Sequence, residues 1–187
     1  MSGVLNGLIA SYATKPSSFE SIASYTVSGS AVATIDFASI PQTYSSLQLR
    51  YIARSTATGT SDTPSVYFNS DLSANYAYHY LSGNGSTISA SGGGANADIS
   101  VPTIAGDGAT ASIFGGGIID IHNYASTTQN KTLRSVGGID ANGSGFTQLR
   151  TGARFQTAAI TKVSFYLSSG YSFMVGSTFA LYGIKGA

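Results

Sequence analysis

The chain of 187 residues contains no cysteine, so a disulfide framework and a thiolate metal site are both excluded. It contains no tryptophan either, which removes the strongest stacking surface for a sugar ring. Charged residues make up 9%, against roughly 25% in an ordinary soluble domain. The formal net charge is +1, and the closest basic pairs, Arg50 with Arg54 and Arg150 with Arg154, form no patch. Nucleic-acid binding driven by counterion release needs several phosphates neutralised together, so no nucleic-acid partner is expected. No stretch approaches the ~18 to 20 apolar residues of a membrane-spanning helix, and no membrane partner is expected. The first ten residues are mildly apolar but lack the basic start and long apolar run of a signal peptide. The expectation is a chain that reaches its destination by assembly rather than export.

What fills the space left by charge is Ser, Thr, Asn and 23 glycines, beside a hydrophobic share of 42%. Such a surface repels its neighbours weakly and permits close packing of copies. The dominant pattern is short alternation of Val, Ile, Thr, Tyr and Phe between turn-forming clusters. It predicts strands at 22–27, 32–37, 47–54, 65–69, 76–82, 118–124, 132–139, 146–155, 160–167 and 178–184. Ten short strands point to an all-β antiparallel sandwich or jelly roll, as one domain over 20–187. Ser28-Gly-Ser30 is expected to join the first two strands, and Asn142-Gly-Ser-Gly145 to turn a tight hairpin. Residues 84–117 carry little hydrophobic content and are expected as a long surface excursion, with a short strand at 97–101. Glycine runs at 92–94 and 115–117 read as flexible or bent backbone. In the last strand Phe179, Leu181 and Gly183 share one face, and Tyr182 and Ile184 the other. Apolar residues on both faces suggest a central strand or a face covered by another subunit.

Residues 1–19 stand apart as an arm. Val4, Leu5, Leu8, Ile9 and Tyr12 have the spacing of a short amphipathic helix and are interface candidates. One turn of that kind is not stable alone.

The ionisable inventory is short: eight acids and two histidines. Asp120 and Asp140 fall on adjacent predicted strands and are the best pair for two-carboxylate hydrolysis, although such residues more often bond local backbone amides. Asp120 and His122 project from one face, as a cross-strand polar pair or half of a metal site. No third ligand is nearby, so no metal and no cofactor are expected. Asp107 in Ala-Gly-Asp-Gly-Ala lacks the repeated acids of a calcium loop. No Gly-x-Ser-x-Gly elbow occurs, and no enzymatic activity is expected. The remaining feature is Asn75-Tyr-Ala-Tyr-His-Tyr80. Alternation places Tyr76, Tyr78 and Tyr80 on one face, as core, subunit interface or sugar platform.

Five stretches together resemble the small jelly-roll virion proteins of tailed bacteriophages, especially those infecting cyanobacteria. They are Phe19-Glu-Ser-Ile-Ala23 with its Gly-containing hairpin, Phe37-Ala-Ser-Ile-Pro-Gln-Thr-Tyr44 running into Leu47-Gln-Leu-Arg50, Asn75-Tyr-Ala-Tyr-His79, Ile118-Ile-Asp-Ile121, and Ala159-Ile-Thr with the ending Gly176-Ser-Thr-Phe-Ala-Leu-Tyr-Gly-Ile-Lys185. The resemblance implies a place on the virion, as a capsid decoration (cement) protein or a tail fibre component. It implies partners as well: copies of the chain itself in a homotrimer, and the major capsid protein or other virion proteins. In a tail location a host glycan would be the partner. The family carries no catalytic motif to transfer.

Overall fold

Alternating side chains need a surface to bury one face against, and two sheets supply it to each other. A computed structural model describes residues 18–186. The interface candidates Val4, Leu5, Leu8, Ile9 and Tyr12 lie outside the described residues. Within them every regular element is a strand and every pairing between named strands is antiparallel, forming a β-sandwich.

The strands are β1 (Phe19–Thr26), β2 (Thr34–Phe37), β3 (Ser46–Ala53), β4 (Ser61–Asp62), β5 (Ser65–Phe68), β6 (Tyr76–Gly83) and β7 (Ile88–Asn96). There follow β8 (Ile99–Ser100), β9 (Ile104–Ala105), β10 (Gly115–His122), β11 (Lys131–Asp140), β12 (Gly145–Arg154), β13 (Val163–Tyr166) and β14 (Thr178–Ile184). A large sheet runs β1-β14-β3-β10-β11-β12-β6-β7; a smaller one runs β2-β13-β5-β8; β4 and β9 make a short pair. Between the sheets lies an aromatic core in which Phe165 touches Tyr51, Phe173 and Phe179 at ring-centroid distances of 4.8, 5.4 and 5.3 Å. β14 is a central strand between β1 and β3, with Phe179 and Leu181 buried inward. Outward, its Tyr182 ring lies 5.0 Å from the Arg50 guanidinium.

Three local expectations are corrected. Ser28-Gly-Ser30 joins β1 to β2 as expected, but not as the hairpin that the resemblance implies. β1 pairs with β14 and β2 with β13, so this turn carries the chain from one sheet to the other. The stretch 84–117 is not an excursion with one short strand. It contains β7 as the edge of the large sheet, and also β8 and β9. The glycines at 92–94 and 115–117 lie inside β7 and β10 rather than in bent loops. Glycine is required in β10 because β9 packs directly on it: a Cβ at Gly115 would sit 2.6 Å from the Ile104 Cα. The Asn142-Gly143 turn does close a hairpin, between β11 and β12. Both residues have positive φ, 60° and 99°, as that turn demands.

Two buried cations organise the connections. The Arg54 guanidinium donates to the backbone carbonyls of Asp107, Ala109, Thr110 and Ile113 at 2.8–3.0 Å, gathering residues 106–114 around itself. The Lys131 ammonium donates to the carbonyls of Ser126, Gln129 and Thr157 at 2.5, 2.6 and 2.9 Å. Its three N–H groups are thereby satisfied.

Candidate functional site

The strands β11, β12 and β6 break the usual order of a sandwich, in which apolar residues point in and polar residues out. On their outward face, register places Ile118 opposite Val136, Val136 opposite Leu149, and Leu149 opposite Leu81. These four form one lateral row across β10, β11, β12 and β6. Val136, Leu149 and Leu81 are 51%, 50% and 50% exposed. Ile52 on β3 and Ile88 on β7 continue the exposed apolar surface on either side. Beside the row, Asp120 accepts from Arg134 Nε (3.1 Å) and Gln48 Nε2 (2.7 Å), so these two charges neutralise each other, while Arg50, opposite Ile118 on β3, lies over the Phe19 and Tyr182 rings.

On the inward face β11 still buries Leu133 and Ile139, but along part of β12 and β6 the inward residues are polar. Arg150, Gln148 and Ser82 are buried there, and Tyr78 and Tyr80 are half-buried. The cause is the unequal width of the two sheets. β8, the edge of the smaller sheet, lies against β12 and β6, with the Ile99 side chain seated on Gly152. Beyond that edge nothing covers the inner face completely, and a groove of about 600 Å³ remains. Its floor is Tyr78, Tyr80, Gln148 and Arg150; its facing wall includes Asp62, Thr63, Ser100 and Ser168.

Arg150 is held from three sides. Nη1 donates to Ser100 Oγ at 2.7 Å, Nε and Nη2 share Gln148 Oε1 at 3.3 Å, and the Tyr80 ring lies 4.9 Å from the guanidinium carbon. Gln148 Oε1 also accepts the Thr103 amide at 2.9 Å, and its Nε2 donates to Ser82 Oγ at 3.2 Å. Burial is the main influence on Arg150 and lowers its pKa. Among the described residues no carboxylate forms an ion pair with it. Tyr78 and Tyr80 stand with ring planes within 11° of parallel and centroids 6.5 Å apart.

The three tyrosines expected on one face do share it but have different surroundings. Tyr76 is fully buried; its hydroxyl donates to the Asp71 carbonyl (2.9 Å) and accepts the Phe68 amide (3.1 Å). Only Tyr78 and Tyr80 reach the groove. Asp120 and Asp140 do not meet. Asp120 is opposite Arg134, six residues along β11 from Asp140, which is about 20 Å at strand rise. Asp140 instead accepts the Asn142 amide at 3.0 Å inside its own turn. His122 is opposite Thr132 and Ser46, and among the described residues no three of His, Asp and Glu are grouped as metal ligands.

In the sequence Arg150 stands out only as one member of a basic pair. The available signal was parity: in Phe146-Thr-Gln-Leu-Arg150, either Leu149 or the Gln148–Arg150 pair must face outward. Hydropathy favours burying Leu149, and the fold does the opposite. Comparison with family models, curated proteins and solved structures finds no match to this chain.

Proposed function

We propose that this chain is a virion structural protein of jelly-roll type, a capsid decoration protein that stabilises an assembled head through subunit contacts. The observation that carries this reading is the exposed apolar row Ile118–Val136–Leu149–Leu81 on the outward face of the large sheet. An exposed apolar row suits burial against a neighbouring virion subunit; Asp120 and Arg134 beside it are already paired, and Arg50 opposite Ile118 rests on the Phe19 and Tyr182 rings. The resemblance of the five sequence stretches supports the same assignment and a trimeric state. Binding only to the assembled shell stabilises that shell by mass action. The sparse catalytic inventory agrees with a structural role. Immunogold labelling of intact particles tests the reading: gold on heads is expected, and particles without label would overturn it.

A second reading is a tail-associated module that recognises host-surface glycans. The groove with its two parallel tyrosines favours it. Label confined to tails would select this reading over the first.

A further inference from the structure

Among the described residues four long cationic side chains are buried, and three of them are tied into the surrounding fold. Arg54 has four backbone carbonyls, and Lys131 has three. Arg154 pairs with the Asp71 carboxylate through Nη2 at 2.8 Å, although its Nε and Nη1 are buried without a hydrogen-bond partner. Arg150 differs in its setting. Its five N–H donors meet two neutral acceptor atoms, one of them shared at 3.3 Å, and it lines an open groove. Lys131 also has neutral partners only, but its three donors meet three carbonyls; a buried positive charge with fewer acceptors than donors and no carboxylate beside it is a costly arrangement for structure alone.

We propose that the groove binds a saccharide bearing a carboxylate, with Arg150 as the partner of the acid group and the Tyr78–Tyr80 pair as the surface under the sugar ring. The volume of about 600 Å³ lies within the range of small-ligand sites. Gln148, Ser100 and Tyr80 hold the guanidinium before any ligand arrives, so little side-chain entropy is lost on binding. Serine and threonine hydroxyls on the facing wall match a polyol, donating to and accepting from sugar hydroxyls. Asp62 on that wall sets the orientation. It repels the ligand's carboxylate and accepts from its hydroxyls, so the acid end is directed to Arg150. Tyrosine supplies an apolar face with a polar rim where tryptophan is absent. The inference is independent of the shell-contact role, and it sharpens the glycan-recognition reading by naming the ligand class.

The test is titration of the full chain with tetragalacturonate and, in parallel, with the neutral galactose tetramer, followed by amide chemical shifts. Saturable binding of the acidic tetramer is expected, about tenfold or more tighter than the neutral one. Tyr80→Ser should weaken acidic binding by about tenfold, and Arg150→Gln should abolish the acid preference. If Arg150→Gln does not fold, the half-buried Tyr80 variant and the acid-to-neutral ratio still decide. Acidic binding unchanged in Tyr80→Ser overturns this site. Equal binding of both tetramers overturns the carboxylate assignment and leaves glycan recognition standing; binding of neither overturns both.

Discussion

At the scale of single residues, polar side chains hold this protein together at points where its loops carry few apolar groups. Arg54 is the main case. Replacing it with Met would leave four carbonyls around residues 106–114 without their donor, at a cost of about 3 kcal/mol. Hydrogen exchange should show protection lost first in 106–114, while the core strands keep theirs; uniform loss would contradict the role given to Arg54. Asp71 provides a pH-dependent counterpart. Its carboxyl is held well below the usual carboxylate range, first by Asn75 Nδ2, then by Arg154 and Ser73. A folded-state value below the unfolded value of about 3.9 means this stabilisation is complete above that pH and is lost as pH falls toward the folded value. Asp71→Asn should therefore be destabilised by about 2 kcal/mol near neutrality, with the gap to the parent narrowing below about pH 4. Denaturant titrations at several pH values measure this, and a gap that widens in acid would refute it.

At the scale of elements, glycine marks where backbone meets backbone. A Cβ at Gly137 on β11 would lie 2.7 Å from the Gly117 Cα on β10, inside contact distance of the neighbouring strand. Gly83, at the end of β6, has nothing within 4 Å of its hypothetical Cβ. Gly137→Ala should lower stability by about 2 kcal/mol, whereas Gly83→Ala should change it by less than about 0.5 kcal/mol. Equal melting shifts for the two would show that β10 and β11 separate easily. The existence and order of most strands were legible from alternation, because a period of two with turn residues between runs has few other solutions. Strand β7 was not legible. Its Ile-Ser-Ala-Ser-Gly-Gly-Gly run buries almost nothing, so no hydrophobic alternation announces it, and only hydrogen bonds to β6 define it.

At the scale of the whole molecule, the unequal widths of the two sheets decide what is offered to partners. Inside, the overhang leaves a polar groove; outside, the same strands carry an apolar row. Leu149→Glu should leave the melting temperature within a few degrees of the parent, because the side chain is half exposed. It should weaken association with purified particles by about tenfold, measured by co-sedimentation, because a charge must then be desolvated in the contact. Unchanged co-sedimentation would remove the outward row from the contact surface.

From the sequence alone came the all-β class, the alternation, the Asn142-Gly143 hairpin and the shared face of Tyr76, Tyr78 and Tyr80, since each rests on neighbours in the chain. Tertiary structure alone decided that Leu149 faces out and Arg150 in, that Ser28-Gly-Ser30 crosses between sheets, and that Asp120 and Asp140 stay apart. Strand periodicity divides residues into two faces but does not say which face is covered. The smaller sheet makes that choice by where it ends, and its edge is set by pairing among residues distant in sequence.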